Sequence, residues 1–196
     1  MIYEFNGLKP VIDPTSYIHK EATIIGNVII GKNVYIGPGA SLRGDWGQIN
    51  ISDGCNIQDN CTIHIFPGKD VTLKENAHIG HGAIIHGATI GKDTLVGMNS
   101  VVMDDCIIGD ECIIGALTFI KGESKIDNRK IIMGNPAKIT GNVSDKMIDW
   151  KKKGTELYHK LPKECKTIMK ECKPLTKLES ERQQQDITFE TWKKSN

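Results

Sequence analysis

The chain has 196 residues, a formal net charge of +1, and 39% hydrophobic and 25% charged residues, a size that suits one domain with an appendage. Near-neutrality without a concentrated basic patch argues against nucleic acid as a main partner, and the sequence contains no run of 18 apolar residues to cross a membrane. The opening Met1-Ile2-Tyr3-Glu4-Phe5-Asn6 lacks the charged-then-apolar layout of a secretory signal, so a cytoplasmic protein is expected.

Residues 1–17 read as an extended lead-in, because Pro10 and Pro14 discourage helix. From Ile18 to Ile139 an aliphatic residue recurs every sixth position, as in Ile18, Ile24, Ile30, Ile36, Leu42 and later Val96, Val102, Ile108, Ile114, Ile120. A fixed hexapeptide period predicts a parallel β-helix, in which six residues make one side of a triangular coil and 18 make a turn. Glycine, asparagine and aspartate at the corners, as in Gly31-Lys32-Asn33 and Gly109-Asp110-Glu111, tolerate the tight bends. Cys61, Cys106 and Cys112 fall in the slot held elsewhere by Ala22, Val28, Val34 and Ala40. They read as small core residues in a reducing compartment, not as a disulfide framework. The repeat is interrupted at Gly44-Asp45-Trp46-Gly47-Gln48 and again near Pro67, and Ile85 to Ile90 is one residue short. Such breaks mark either a functional face or tolerated loop variation.

After Gly134-Asn135-Pro136-Ala137-Lys138 the pattern changes, and residues 140–196 are expected to form a C-terminal helical segment with a polar tail. Ser144 is a predicted N-cap with Asp145 in the first turn. Met147, Trp150, Leu157, Tyr158 and Leu161 approximate one helical face. Pro162 is expected to stop that helix or to start a second one lined by Cys165, Ile168, Met169 and Cys172. From about Glu179 the chain is polar, as expected of a mobile tail or one draped over a partner. This tail is modestly basic: residues 144–196 carry a net +4 against −3 for residues 1–143.

Three of the six histidines carry the functional signal. Repeat-starting positions near them run Ile57, Ile63, Leu73, Ile79, Ile85, Ile90, Val96. The step from Ile63 to Leu73 contains four extra residues, which bulge out within Phe66-Pro67-Gly68-Lys69-Asp70. His64 and His86 each follow a repeat-starting isoleucine and lie 22 residues apart. Without the bulge that separation is one turn, so the two imidazoles stack on adjacent coils about 4.8 Å apart. His81 occupies a different slot and meets them only across an interface between identical subunits. Three copies around a three-fold axis would form three shared His₃ sites. Three imidazoles and an open position make a catalytic zinc site, with iron(II) or cobalt(II) as other metals suited to such ligands. His19, His78 and His159 read as packed or surface residues.

The segments Leu42-Arg43-Gly44-Asp45, Asn56-Ile57-Gln58-Asp59-Asn60, His64, Ile79-Gly80-His81-Gly82 and Ile85-His86-Gly87 resemble the γ-class carbonic anhydrases. Val96-Gly97-Met98-Asn99-Ser100-Val101-Val102-Met103-Asp104 and Trp150-Lys151-Lys152-Lys153-Gly154-Thr155-Glu156-Leu157-Tyr158 are similar to the branch found with phenylacetate degradation and the carnitine operon. The resemblance implies a left-handed β-helix, a homotrimer, and an interface metal held by His64 and His86 of one subunit and His81 of the next. It further implies that Arg43 and Asp59 bridge subunits, that Asn56 and Gln58 hydrogen-bond the metal's water or the substrate, and that Asp45 is a carboxylate close to the site. The founding enzyme has a glutamate where this chain has Trp46, and a longer acidic loop where this chain has Ile65-Phe66-Pro67-Gly68-Lys69-Asp70, so its route for protons is altered.

Three functions follow as expectations. A metal-activated hydroxide attacks carbon dioxide or the carbonyl of an acyl-coenzyme A thioester, with Trp46 and Phe66 contacting an acyl group near the entrance or simply packing. Alternatively, a histidine base serves a coenzyme A-dependent acyltransferase. In the third, the metal only holds a non-catalytic trimeric scaffold together.

Overall fold

The structure is a computed structural model that describes residues 1–185 and 188–190. It is a parallel β-helix closed at one end by a hairpin and flanked by one long helix. Two faces of the triangle merge into one twelve-stranded sheet, because Thr23–Ile30 and Ser41–Ile51 each run around a corner from the first face to the second. The third face is an eight-stranded sheet from Tyr17–Ile18 to Lys130–Met133, ending in the antiparallel strand Lys138–Asn142.

The hexapeptide period places one aliphatic side chain per side inside the coil. On the first face Leu42, Ile63, Ile85, Val102 and Ile120 stand in register, one coil above the next, and none is more than 1% exposed. Each fully buried isoleucine or leucine contributes about 1.5–3 kcal/mol, so the core is a set of stacked aliphatic columns. Cys61, Cys106 and Cys112 fill the small-residue slot at no more than 1% exposure, as expected, and Cys55 joins them. All are free thiols, and burial pushes the Cys55 and Cys61 thiols up to about 12 and about 11.

The lead-in is extended but is not separate from the coil. Ile2–Tyr3 and Val11–Ile12 both pair parallel with Thr23–Ile30, in the registers Ile2↔Ile24 and Ile12↔Ile30. Pro10 forbids helix without forbidding an outermost strand, and Ile12 extends the aliphatic series one step upstream of Ile18.

The C-terminal segment departs further from expectation. A single helix, α1, spans Asp145–Thr167 with Pro162 inside it, and Ser144 caps it by accepting from Met147 N. No second helix forms; Ile168 is the C-cap and Cys172 is exposed. The buried positions of α1 are Ile148, Lys151, Thr155 and Pro162, whereas Met147, Trp150, Leu157, Tyr158 and Leu161 are only partly buried along its sides. The inward lysine explains the misplaced face: Lys151 Nζ donates to Asn76 O at 2.6 Å and to Asp93 Oδ1 at 3.4 Å. A buried charge so partnered is invisible to a search for apolar periodicity. Of the polar tail, residues 186–187 and 191–196 lie outside the described residues. Residues 188–190 lie on the chain's own α1, where Trp150 Nε1 donates to Glu190 O at 2.9 Å.

Candidate functional site

The coil brings His64 and His86 together as counted. They end the adjacent strands Thr62–His64 and Ile84–His86 and are paired in register. His64 Nδ1 lies 3.2 Å from His86 Nε2, and the ring centroids are 5.2 Å apart. His64 is 8% exposed. The far nitrogen of each ring faces a carboxylate. His64 Nε2 lies 2.9 Å from Asp45 Oδ1, and His86 Nδ1 lies 2.6 Å from Asp104 Oδ1. Gly87, at φ +58°, makes the second contact possible: a Cβ there would stand 2.5 Å from Asp104 Oδ1.

Both interruptions of the repeat open onto this pair. The Gly44–Gln48 insertion presents Trp46, whose ring lies 5.2 Å from that of His64. The bulge presents Phe66 edge-on to His86 at 4.9 Å. Gly68 N donates to Trp46 O at 3.2 Å, tying the bulge to the insertion. Trp46 and Phe66 are both about half exposed, so they form two apolar walls beside buried nitrogens.

His81 stands at the opposite edge of the first face, in the corner that follows His78–Ile79. Its Nδ1 lies 2.7 Å from Asp59 Oδ2, and its backbone N donates to Gln58 Oε1 at 3.2 Å. Among the described residues, no group of three His, Cys, Asp or Glu side chains within one chain forms a metal-binding set. One copy therefore holds the two halves of a His₃ arrangement on separate corners.

The other site residues divide between those corners. Asp45 joins the His64 side. Asn56 and Gln58, 0% and 3% exposed, join the His81 side, where Gln58 Nε2 donates to Asn56 Oδ1 at 3.1 Å. Arg43 and Asp59 do not meet within the chain. Arg43 lies 3.0 Å from His64 Nε2 and 3.7 Å from Asp45, and Asp59 pairs with His81. Two residues escaped the sequence reading. Asp104 lies 18 residues, one turn, after His86, so the same count that paired the histidines would have found it. His78, taken as a packing residue, contacts Gln58 at 2.5 Å. Its imidazole is held down to about 3, by burial first and then by the nearby charges of Lys151 and His81.

The donor set fits zinc. Imidazole nitrogens at about 2.0–2.1 Å from a tetrahedral ion lie about 3.3 Å apart, close to the 3.2 Å between His64 Nδ1 and His86 Nε2. A metal-binding histidine characteristically gives its other N–H to a carboxylate or carbonyl. His64, His81 and His86 each have such a carboxylate, in Asp45, Asp59 and Asp104.

The bacterial transferase hexapeptide (six repeats) family matches residues 9–44 and 87–122. Carnitine operon protein CaiE of Escherichia coli (strain K12) is 45% identical over 180 residues, 92% of each chain. Among solved structures, the BC4754 gene product of Bacillus cereus superposes with a TM-score of 0.84 at 30% identity, covering 86% of this chain and 98% of its own. A hexapeptide transferase family protein from Anaplasma phagocytophilum superposes at 0.79 with 33% identity, covering 83% and 96%.

Proposed function

The chain belongs to the hexapeptide-repeat family, alongside the carnitine operon protein CaiE, and from that premise we propose that it is a zinc-dependent carbon dioxide hydratase of γ-carbonic-anhydrase type, active as a homotrimer. The observation that carries the reading is the pair of facing nitrogens on His64 and His86, each ring held from behind by a carboxylate. The matching His81–Asp59 pair sits at the other edge of the same face. A second copy related by a three-fold axis supplies His81 to the first copy's His64 and His86.

Zinc bound there lowers the pKa of water toward neutrality and polarises a nearby carbonyl. The chain's own residues do the rest. Asp45 and Asp104 fix ring orientation and keep the facing nitrogens free of protons. Gln58 holds the His81 backbone, and Asn56 orients Gln58. Asp45, mostly buried against His64, is the carboxylate placed to take up a proton. Trp46 stands where the founding enzyme has a glutamate, so proton release to solvent relies on buffer. Arg43 and Asp59 exchange their partners within the chain for each other across the interface.

A second reading, hydrolysis of acyl-coenzyme A thioesters, is supported by Trp46 and Phe66, which give the entrance apolar walls that carbon dioxide does not need. Acyl transfer is less well served: a transferase requires a free imidazole base, and both nitrogens of His64 are already engaged.

The test is metal content of freshly purified protein by mass spectrometry, with assembly state by light scattering, for wild type and His81→Ala. About one zinc per subunit, lost in the variant, is expected, together with carbon dioxide hydration that disappears with the metal. A metal-free trimer that transfers acyl groups would overturn the proposal.

A further inference from the structure

His78 belongs to no part of the chemistry described so far, yet it is the most strongly perturbed histidine of the chain. Its ring lies between helix α1 and the third face, edge-on to Tyr158 with centroids 5.0 Å apart. Tyr158 in turn packs on Tyr35 at 6.0 Å. Lys151 provides a charged neighbour from the same helix. From this position His78 Nε2 lies 2.5 Å from Gln58 Nε2.

The Gln58 amide has three neighbours and only one way to satisfy them. It has two N–H hydrogens and one carbonyl oxygen. Asn56 Oδ1 lies 3.1 Å from Gln58 Nε2 and accepts one hydrogen. The His81 backbone N–H needs an acceptor and finds Gln58 Oε1 at 3.2 Å. The second Gln58 hydrogen points to His78 Nε2, which accepts only if that nitrogen carries no proton. A reversed amide would set oxygen against Asn56 Oδ1 and N–H against the His81 N–H, and leaving such buried groups unpaired costs about 1–3 kcal/mol each.

Resting on the zinc reading above, we propose that His78 is a positioning residue, whose Nε2 lone pair locks the Gln58 amide so that its carbonyl holds the backbone of His81. His81 needs that hold. It sits between Gly80 and Gly82, with Gly82 at φ +71°, so its own neighbours offer no side chains to fix the corner. Asp59 secures the ring, and Gln58 secures the backbone. Helix α1 enters the site through this chain of contacts: Tyr158 holds His78, His78 sets Gln58, and Gln58 sets His81. Burial supports the arrangement by keeping the His78 imidazole neutral well below physiological pH.

Long-range proton–nitrogen NMR of the metal-free protein at pH 7 tests the first link. A neutral His78 carrying its proton on Nδ1 is expected; a proton on Nε2, or a cation, overturns the proposal. Zinc affinity, measured by chelator competition, tests the second. His78→Phe keeps a ring beneath Tyr158 but removes the acceptor, and it should weaken zinc binding about 10–100-fold with the trimer intact. His78→Gln returns an acceptor oxygen and should bind zinc close to wild type. Wild-type affinity in His78→Phe, or equal loss in both variants, overturns the positioning role. A wild-type protein that takes up no zinc would instead defeat the proposed function, and the tautomer measurement would then decide the His78–Gln58 contact by itself.

Discussion

Lowering the pH from 8 to 5 should destabilise the folded chain through His78. In the folded protein this imidazole is held down to about 3, against an ordinary value of 6.5. Between those values the unfolded chain binds more protons than the folded one, so stability rises with pH across the window. The contribution is complete above pH 6.5 and is lost as the pH falls toward 3. Integrating over the two titrations gives a loss of about 2 kcal/mol at pH 5, relative to pH 8, and about 3 kcal/mol at pH 4. Urea unfolding of chelator-treated wild type and His78→Phe, at pH 8, 6, 5 and 4, isolates the effect. Other titrating groups are common to both proteins and cancel in the difference. The stability of wild type relative to the variant should fall by about 2 kcal/mol between pH 8 and 5. Parallel pH profiles would refute the reasoning, because they would mean that His78 gains its proton in the folded state as readily as in the unfolded one.

Lys151 predicts a trend at the other end of the scale. Burial holds its ammonium down to about 8 from 10.5, despite the opposing pull of Asp93. The unfolded chain again binds more protons between those values. Wild type should therefore gain about 2.5 kcal/mol relative to Lys151→Met between pH 7 and 10, read by chemical denaturation. Asp104→Asn removes the negative charge behind His86 and should weaken zinc binding tenfold or more in a chelator titration, while the metal-free protein keeps its stability to within about 1 kcal/mol. Within the core, Ile108 is 1% exposed and its neighbour Ile107 is 50% exposed. Ile108→Ala should cost about 2–5 kcal/mol and Ile107→Ala about 0.5 kcal/mol or less in thermal or urea unfolding. Equal costs would contradict the register of the second face.

The columns of the β-helix were legible because each coil repeats the same local decision. An aliphatic residue every six positions has one place to go, and the stack from Leu42 to Ile120 follows from counting. The same count placed His86 over His64, and it would have placed Asp104 beside His86 had the carboxylates been run through it. It did not recover the first coil, because Ile2 and Ile12 are separated by an outward excursion that breaks the period. It also mispredicted the C-terminal segment, where a stripe of half-buried aromatic and aliphatic residues looked like the inward face. Lys151 holds that face instead, because Asn76 and Asp93, far away in sequence, provide its partners.

The sequence by itself determined the repeat, the bulge, the stacking of His64 on His86 and the separation of His81 from both, since each depends only on residue spacing within a regular coil. Tertiary structure alone decided which atoms face one another. It placed Asp45 behind His64, set Asn56 and Gln58 on the His81 side, kept Arg43 from Asp59 within one chain, and turned His78 toward Gln58 beneath α1. Spacing fixes the coil and corner on which a side chain stands. Its direction, protonation and partners depend on insertions and on a helix packed from elsewhere in the chain, neither of which obeys the period.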